Sequence, residues 1–473
     1  MRIIGNDPST PRQAQIVASG TLSTGDAVVV NSDGTVSIIG FSDPSVGSPT
    51  TFTNGNPPDK DVVFDSSNNK VVVVYRDMGN SSSGTAIVGT VSGSSISFGT
   101  PVVFNTGQTQ FISATFDTNN NKVVVAYRDD TNSSYGTAIV GTVNGTSISF
   151  GSPTVFNSAA TAYTSCTFDT NNNKVVVAYR GTSSYGTAIV GTVSGTSISF
   201  GTSTVYESAE SNYNSVVFDS SNNKIVIAYA RYISSTNGRA VVGTVSGTSI
   251  SFGTPVTFDS AEAAYTSAAF DSINNKVVIA YYGSSGSGKS LVGTVSGNSI
   301  SFGTTVTFSV RAAYIATTFD VSTGKVVVAY HDFSSQMPFA IVGTVSGTSI
   351  TFGTALQYST NITSWISSAY DSNSNKVIIA DQNYNGSSLD GKAVVFDSGS
   401  TNASSYIGTA ATGAPDGTGA KINLKGAVDE NQSGLTAGQS YYVQTDGTLG
   451  TTPADPSVFA GTAVAANKLI VKG

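Results

Sequence analysis

The chain has 473 residues, with 22 Lys and Arg against 29 Asp and Glu, a formal net charge of −7. Charged residues make up 11% of it, against roughly 25% in ordinary globular proteins. With eight Leu and four Glu the strongest helix formers are nearly absent. That excludes a mainly helical protein. No apolar run reaches the roughly 18–20 residues of a membrane helix, so no membrane insertion is expected. A net acidic chain with sparse Lys and Arg is also a poor binder of nucleic acid.

Residues 1–16, MRIIGNDPSTPRQAQI, carry Pro8 and Pro11 and no strand pattern. They read as an N-terminal arm that either docks into a neighbouring subunit or packs on the chain's own β domain. Their apolar stretch is too short for a signal peptide. Residues 17–40 follow with short strand-like text, GTLSTGDAVVV among it. Residues 45–52, SVGSPTTF, resemble the strand text SFGSPTVF at 149–156. They precede the first repeat without a partner of their own, so they are expected to close the last repeat as its outer strand.

Residues 41–399 are then dominated by one repeat. The pattern FDxxNNKVVVAY recurs seven times, beginning at Phe64, Phe116, Phe168, Phe218, Phe270, Phe319 and Tyr370. The spacings are 52, 52, 50, 52, 49 and 51, a repeat of about 51 residues. Alternating β patterns at this period predict four-stranded propeller blades. The fold class expected is therefore all-β: a seven-bladed β-propeller inserted into a small discontinuous β domain, 17–40 with 400–473.

Within the second repeat, strand A ends in Phe116-Asp117 and a tight turn runs through Asn119–Asn121. Strand B is 122–127, an apolar run suited to burial on both faces. Strand C is 136–143, Asn144-Gly145 marks a hairpin, and strand D is 147–156. The Asp of each aromatic-Asp step, Asp117 here, is expected to accept backbone N–H bonds in an Asx turn. A calcium loop on Asp117, Asn119 and Asn121 is the alternative, with little charge to hold the ion.

The A–B and C–D turns are nearly uniform, whereas the B–C loops and D–A links differ in every repeat. Examples are DMGNSSS at 77–83, RYISSTN at 231–237 and QNYNGSSLD at 382–390. Variable loops on a rigid scaffold are where binding usually resides. Five residues before each aromatic-Asp step stands Phe111, Tyr163, Tyr213, Tyr265, Tyr314 or Trp365, with Asp59 in the first repeat. These six are candidate stacking platforms or simple packing between blades. Arg76, Arg128, Arg180 and His331 follow strand B on the same face. They are candidate donors to a polar ligand, or pair with Asp77 and Asp129.

Cys166 and His331 are the only cysteine and histidine. That removes disulfides, cysteine metal sites and histidine-based nucleophilic catalysis. Glu207, Glu210 and Glu262 are scattered over the links, and nothing singles out a glycosidase pair. No enzyme, cofactor or metal site is expected.

The chain ends in internal echoes. Residues 20–34 align with 433–447, and 406–426 align with 459–473, so a duplicated module is interrupted by the repeats. The segment GLTAGQSYYVQTDGTLGTTPADPSVFAGTAVAANKLIVKG resembles a small β module of tailed-bacteriophage virion proteins, tail fibres and head-associated proteins among them. The resemblance implies anchoring to other virion proteins through this domain and the arm, a homo-oligomer, and location in the virion after synthesis in the host cytoplasm. The expectation is a virion display protein whose propeller binds host cell-surface carbohydrate. A capsid or tail decoration protein without ligand, and a bacterial lectin-like adhesin, are the alternatives.

Overall fold

Strand B sets the architecture. In the computed structural model, which describes residues 12–233, 236–401, 405–444, 448–453 and 457–472, the second repeat places this strand at Lys122–Asp129. Val123, Val124, Val125 and Ala126 are wholly buried there. β-branched residues suit such a strand because both faces meet packed neighbours. The chain is all-β, arranged in several antiparallel sheets.

Each full repeat folds as one unit. Strand A pairs with B, B with Tyr135–Asn144 as strand C, and C with Ser147–Phe150 as the start of D. Strand D then breaks at Gly151 and resumes as Thr154–Ala160, still paired with C. The break has a steric cause. A Cβ on Gly151 would lie 2.0 Å from the carbonyl oxygen of Thr196, on the next unit's C–D turn. Gly47, Gly99, Gly201, Gly253 and Gly303 stand in the same position against the following unit.

The C–D turn corrects one sequence detail. Asn144 pairs with Ser147, so the central pair is Gly145-Thr146 rather than Asn-Gly. Only the glycine is left-handed, at φ +60, as in a II′ hairpin. The A–B turn is as expected. Asp117 Oδ1 accepts from the backbone N–H of Asn119 and Asn120, both at 2.9 Å, and Oδ2 accepts from Asn120 Nδ2. The carboxylate is thus consumed by its own turn, and Asn121 takes the left-handed position at φ +54.

The cores lie between units. Val72, Val74 and Val88 of the first repeat pack with Val123, Val125 and Ile139 of the second. Ile378, Ala393 and Val395 of the seventh pack with Val71, Val73 and Ile87 of the first, with Phe52 among them. Ser45–Val46 and Thr50–Thr53 pair with Leu389–Asp397, the C strand of the seventh repeat. The N-terminal segment therefore supplies that repeat's outer strand.

Two compact units result: Pro44–Ser398, and residues up to Asp43 together with those from Gly399. The second contains two sheets of matching order. Gln13–Val17, Gly419–Leu424, Tyr406–Ala410, Ala27–Val30 and Val36–Ile38 form one. Val428–Asp429, Lys468–Val471, Val458–Ala465, Ser440–Val443 and Leu449–Gly450 form the other. The echo in the sequence is an echo in topology. The arm at 1–16 needs correction at its end: Gln13–Val17 pairs with Gly419–Asn423 as an edge strand. Its alternating text QAQIV is polar because one face of that edge is open. Residues 1–11 lie outside the described residues.

Candidate functional site

The D–A links reach strand A through a bulge. In the second unit Gln110 faces Arg128 and Ser113 faces Ala126, so Phe111 and Ile112 together oppose Tyr127. The same two-against-one register recurs at Tyr163, Tyr213, Tyr265, Tyr314 and Trp365. Each of the six aromatics is left-handed, with φ between 47° and 52°. Bulky residues avoid this region unless the surroundings dictate it. The two-on-one register is what dictates it here.

The bulges turn the six rings into one continuous arc. Successive centroids, from Phe111 through Tyr163, Tyr213, Tyr265 and Tyr314 to Trp365, are 5.1, 5.0, 4.9, 5.0 and 5.3 Å apart. Burial, and after it the neighbouring hydroxyl of Tyr163, pushes Tyr213 up to about 12. Six independent platforms are therefore not what the fold provides. The inner rings cover one another's faces, and Trp365, at one end, is 43% exposed.

The polar candidates flank this arc, but their partners differ from those expected. Arg76 pairs with Asp59 at 3.5 Å, Arg128 with Asp130, and Arg180 with Glu210 at 2.7 Å, instead of with Asp77 and Asp129. Arg128 lies 5.5 Å from the Phe111 centroid and Arg180 4.9 Å from that of Tyr163. Each arginine thus steadies a ring while keeping part of its surface open. His331 does not serve as a surface donor. It is 2% exposed, wedged edge-on between Tyr314 and Phe333, and burial pushes it below the usual imidazole value.

Below the arc, hydrogen bonds run from unit to unit. The N–H groups of Cys166, Val216, Ala268 and Thr317 donate to Ser113, Ser165, Ser215 and Ser267 of the preceding unit. Ala114 N–H donates to Asp61, and Val62 N–H to Ser367, which ties the seventh unit to the first. These groups line a cavity of about 340 Å³ to which all seven units contribute. Cys166 is buried in its wall, and its thiol is pushed up to about 12, so it is inert.

Two residues at the mouth take on a meaning the sequence did not give them: Asp59, visible only as an exception to the repeat, and Lys60 beside it. The first unit has no bulge: Lys60 faces Tyr75 and Asp61 faces Val74. Asp59 thus replaces a ring, and Lys60 Nζ donates to the Trp365 carbonyl at 2.6 Å. At other junctions Thr164, Asn214 and Thr266 donate to the carbonyls of Phe111, Tyr163 and Tyr213. The signal was visible as the one repeat without an aromatic. Glu207 sits against Arg231 and Arg239, and Glu210 against Arg180, so these carboxylates are held by cations. Among the described residues no three His, Cys, Asp or Glu cluster to hold a metal.

No family model matches the chain, and no curated protein matches it. Solved structures do. The chain is similar to the crystal structure of the BP39L lectin from Burkholderia pseudomallei, with a TM-score of 0.55 at 12% identity, over 73% of this chain and 98% of that one. The SapL1 lectin, solved with alpha methyl fucoside, matches at a TM-score of 0.38 and 13% identity, over 64% of this chain and 96% of that one. At such identity the likeness to BP39L is one of fold.

Proposed function

We propose that this chain is a carbohydrate-binding protein of lectin type, whose seven repeats form a closed seven-bladed propeller and whose ligand lies at the channel mouth. The observation that carries the reading is the arc itself. Six strained aromatics converge on one mouth, flanked by arginines and ending in an exposed Trp365. Sugar C–H faces pack on aromatic rings, and sugar hydroxyls need fixed donors and acceptors nearby. The BP39L likeness in fold supports the same class. It favours a lectin-like adhesin over the virion display protein suggested by the terminal module, whose support is the resemblance of residues alone. We propose binding without catalysis, since the nearby glutamates are engaged by arginines.

A glycan array tests this. Wild-type chain should bind a discrete set of glycans, and Trp365→Ala should lose that binding at an unchanged melting temperature. An array without a binder for well-folded wild-type chain would overturn the proposal.

A further inference from the structure

The arc of rings has one gap, and the gap has its own chemistry. Six units insert an extra aromatic by a bulge, and the first unit does not. A cavity of about 170 Å³ opens beside this gap. Asp59, Lys60 and Trp365 line it at the gap, and it extends past Phe111 to Tyr163 and Tyr213. The inner rings are half-buried and tilted against neighbours at about 5 Å on both sides, so they offer less open face than Trp365, which is 43% exposed.

The polar groups of the gap are unlike those of any other junction. The Asp59 carboxylate meets Arg76 only at 3.5 Å, a weak pairing that leaves acceptor capacity. Lys60 spends one N–H on the Trp365 carbonyl, and an ammonium has three. Burial lowers Lys60 against the nearby Asp381 and Asp59 carboxylates, and raises Asp59 against Arg76, so each charge at the gap faces an opposite one and none is left over for an ionic ligand. The volume is below the roughly 300–1,000 Å³ of sites for drug-sized ligands, and suits one ring rather than a chain of sugars.

From these features we infer that the gap at the first unit is a single subsite for one neutral pyranose, its C–H face on Trp365 and its hydroxyls on Asp59 and Lys60. This rests on the carbohydrate reading above and narrows it from the whole mouth to one site per chain. The six-ring arc acts as the wall that fixes the two ends.

Trp365 is the only tryptophan, so its fluorescence reports on this site alone. The full-length chain is titrated with a panel of neutral methyl pyranosides and with N-acetylneuraminic acid as an acidic counterpart. Stoichiometry is read by calorimetry. The expected result is one neutral sugar per chain, a saturable change in Trp365 emission, and protection from iodide quenching. Asp59→Tyr, which puts a ring into the gap, should abolish binding. Asp59→Asn, which keeps the shape, should weaken it at least tenfold. Several equivalents per chain, silent Trp365 emission, or full binding by Asp59→Tyr would overturn the gap site while leaving the protein a lectin. A panel and an array that both lack a binder would remove the carbohydrate reading itself.

Discussion

Tyr213 and its five counterparts hold a conformation that costs a bulky residue roughly 1–3 kcal/mol. Ring contacts on both sides repay it for the inner members, whereas Trp365 has a neighbouring ring only at Tyr314. The two kinds of position should therefore respond differently to truncation. Tyr213→Ala should lower stability by about 2 kcal/mol, less than the 3–5 of a fully buried ring. Trp365→Ala should leave the melting temperature within error and remove glycan binding. Thermal unfolding beside a glycan-binding assay separates them. The turn residues give a second test. Asn121 is left-handed, so Asn121→Val should cost roughly 1–2 kcal/mol and Asn121→Gly almost nothing, measured by urea unfolding. Asn121 was legible because asparagine tolerates this backbone. Phe111 was not, since no turn chemistry in its text announces a left-handed residue; the register of two residues against Tyr127 imposes it.

Strands and turns explain what the repeat preserves. Gly145 needs only its positive φ, as a Cβ there would meet open space. Gly151 needs only its missing side chain, because the Thr196 carbonyl fills the room. Gly145→Ala should therefore cost roughly 1–2 kcal/mol, and Gly151→Ala more, since backbone of the next unit must shift; calorimetry ranks the two. Strand B ends in a buried tyrosine in six of the seven units, among them Tyr75, Tyr179 and Tyr330, each pushed up to about 12 by burial. The unfolded chain loses these protons from about pH 10, while the fold keeps them to about 12. Stability must then fall as pH rises through that window. Urea midpoints at about pH 9 and about pH 11, with tyrosinate absorbance as the second readout, check the sign. The sequence pattern located strands B and C to within two residues, because β-branched runs bounded by Asp-Asn and Gly turns leave little choice. It misjudged strand D, whose break at Gly151 follows from contact with the next unit and not from local propensity.

For the molecule as a whole, the join between the seventh and first repeats matters most. Thr50–Thr53 covers the edge of Leu389–Asp397, and an uncovered edge templates aggregation. Deleting residues 44–53 should yield a less stable, aggregating chain by light scattering; an equally stable monomer would remove this strand's role. The duplicated module offers a further check. Its two halves share sheets across the repeats, so a chain joining residue 40 directly to residue 400 should fold by itself, with β-type circular dichroism and a cooperative melt. The period and the text at 45–52 made this organisation legible. The strand at Gln13–Val17 was hidden, because its alternation spans only five residues with Ala14 and Ile16 on the inner face, too short and too weakly apolar to stand out from the arm. Asp59 was visible as a departure from the repeat, but its meaning depended on a bulge that only the paired register reveals. A structure of the intact chain with a glycan bound to it decides where the ligand sits. Density for a sugar ring is expected at the channel mouth, against Trp365 and beside Asp59. Density only on the outer rim, or on the face of the uniform A–B and C–D turns, would contradict that placement.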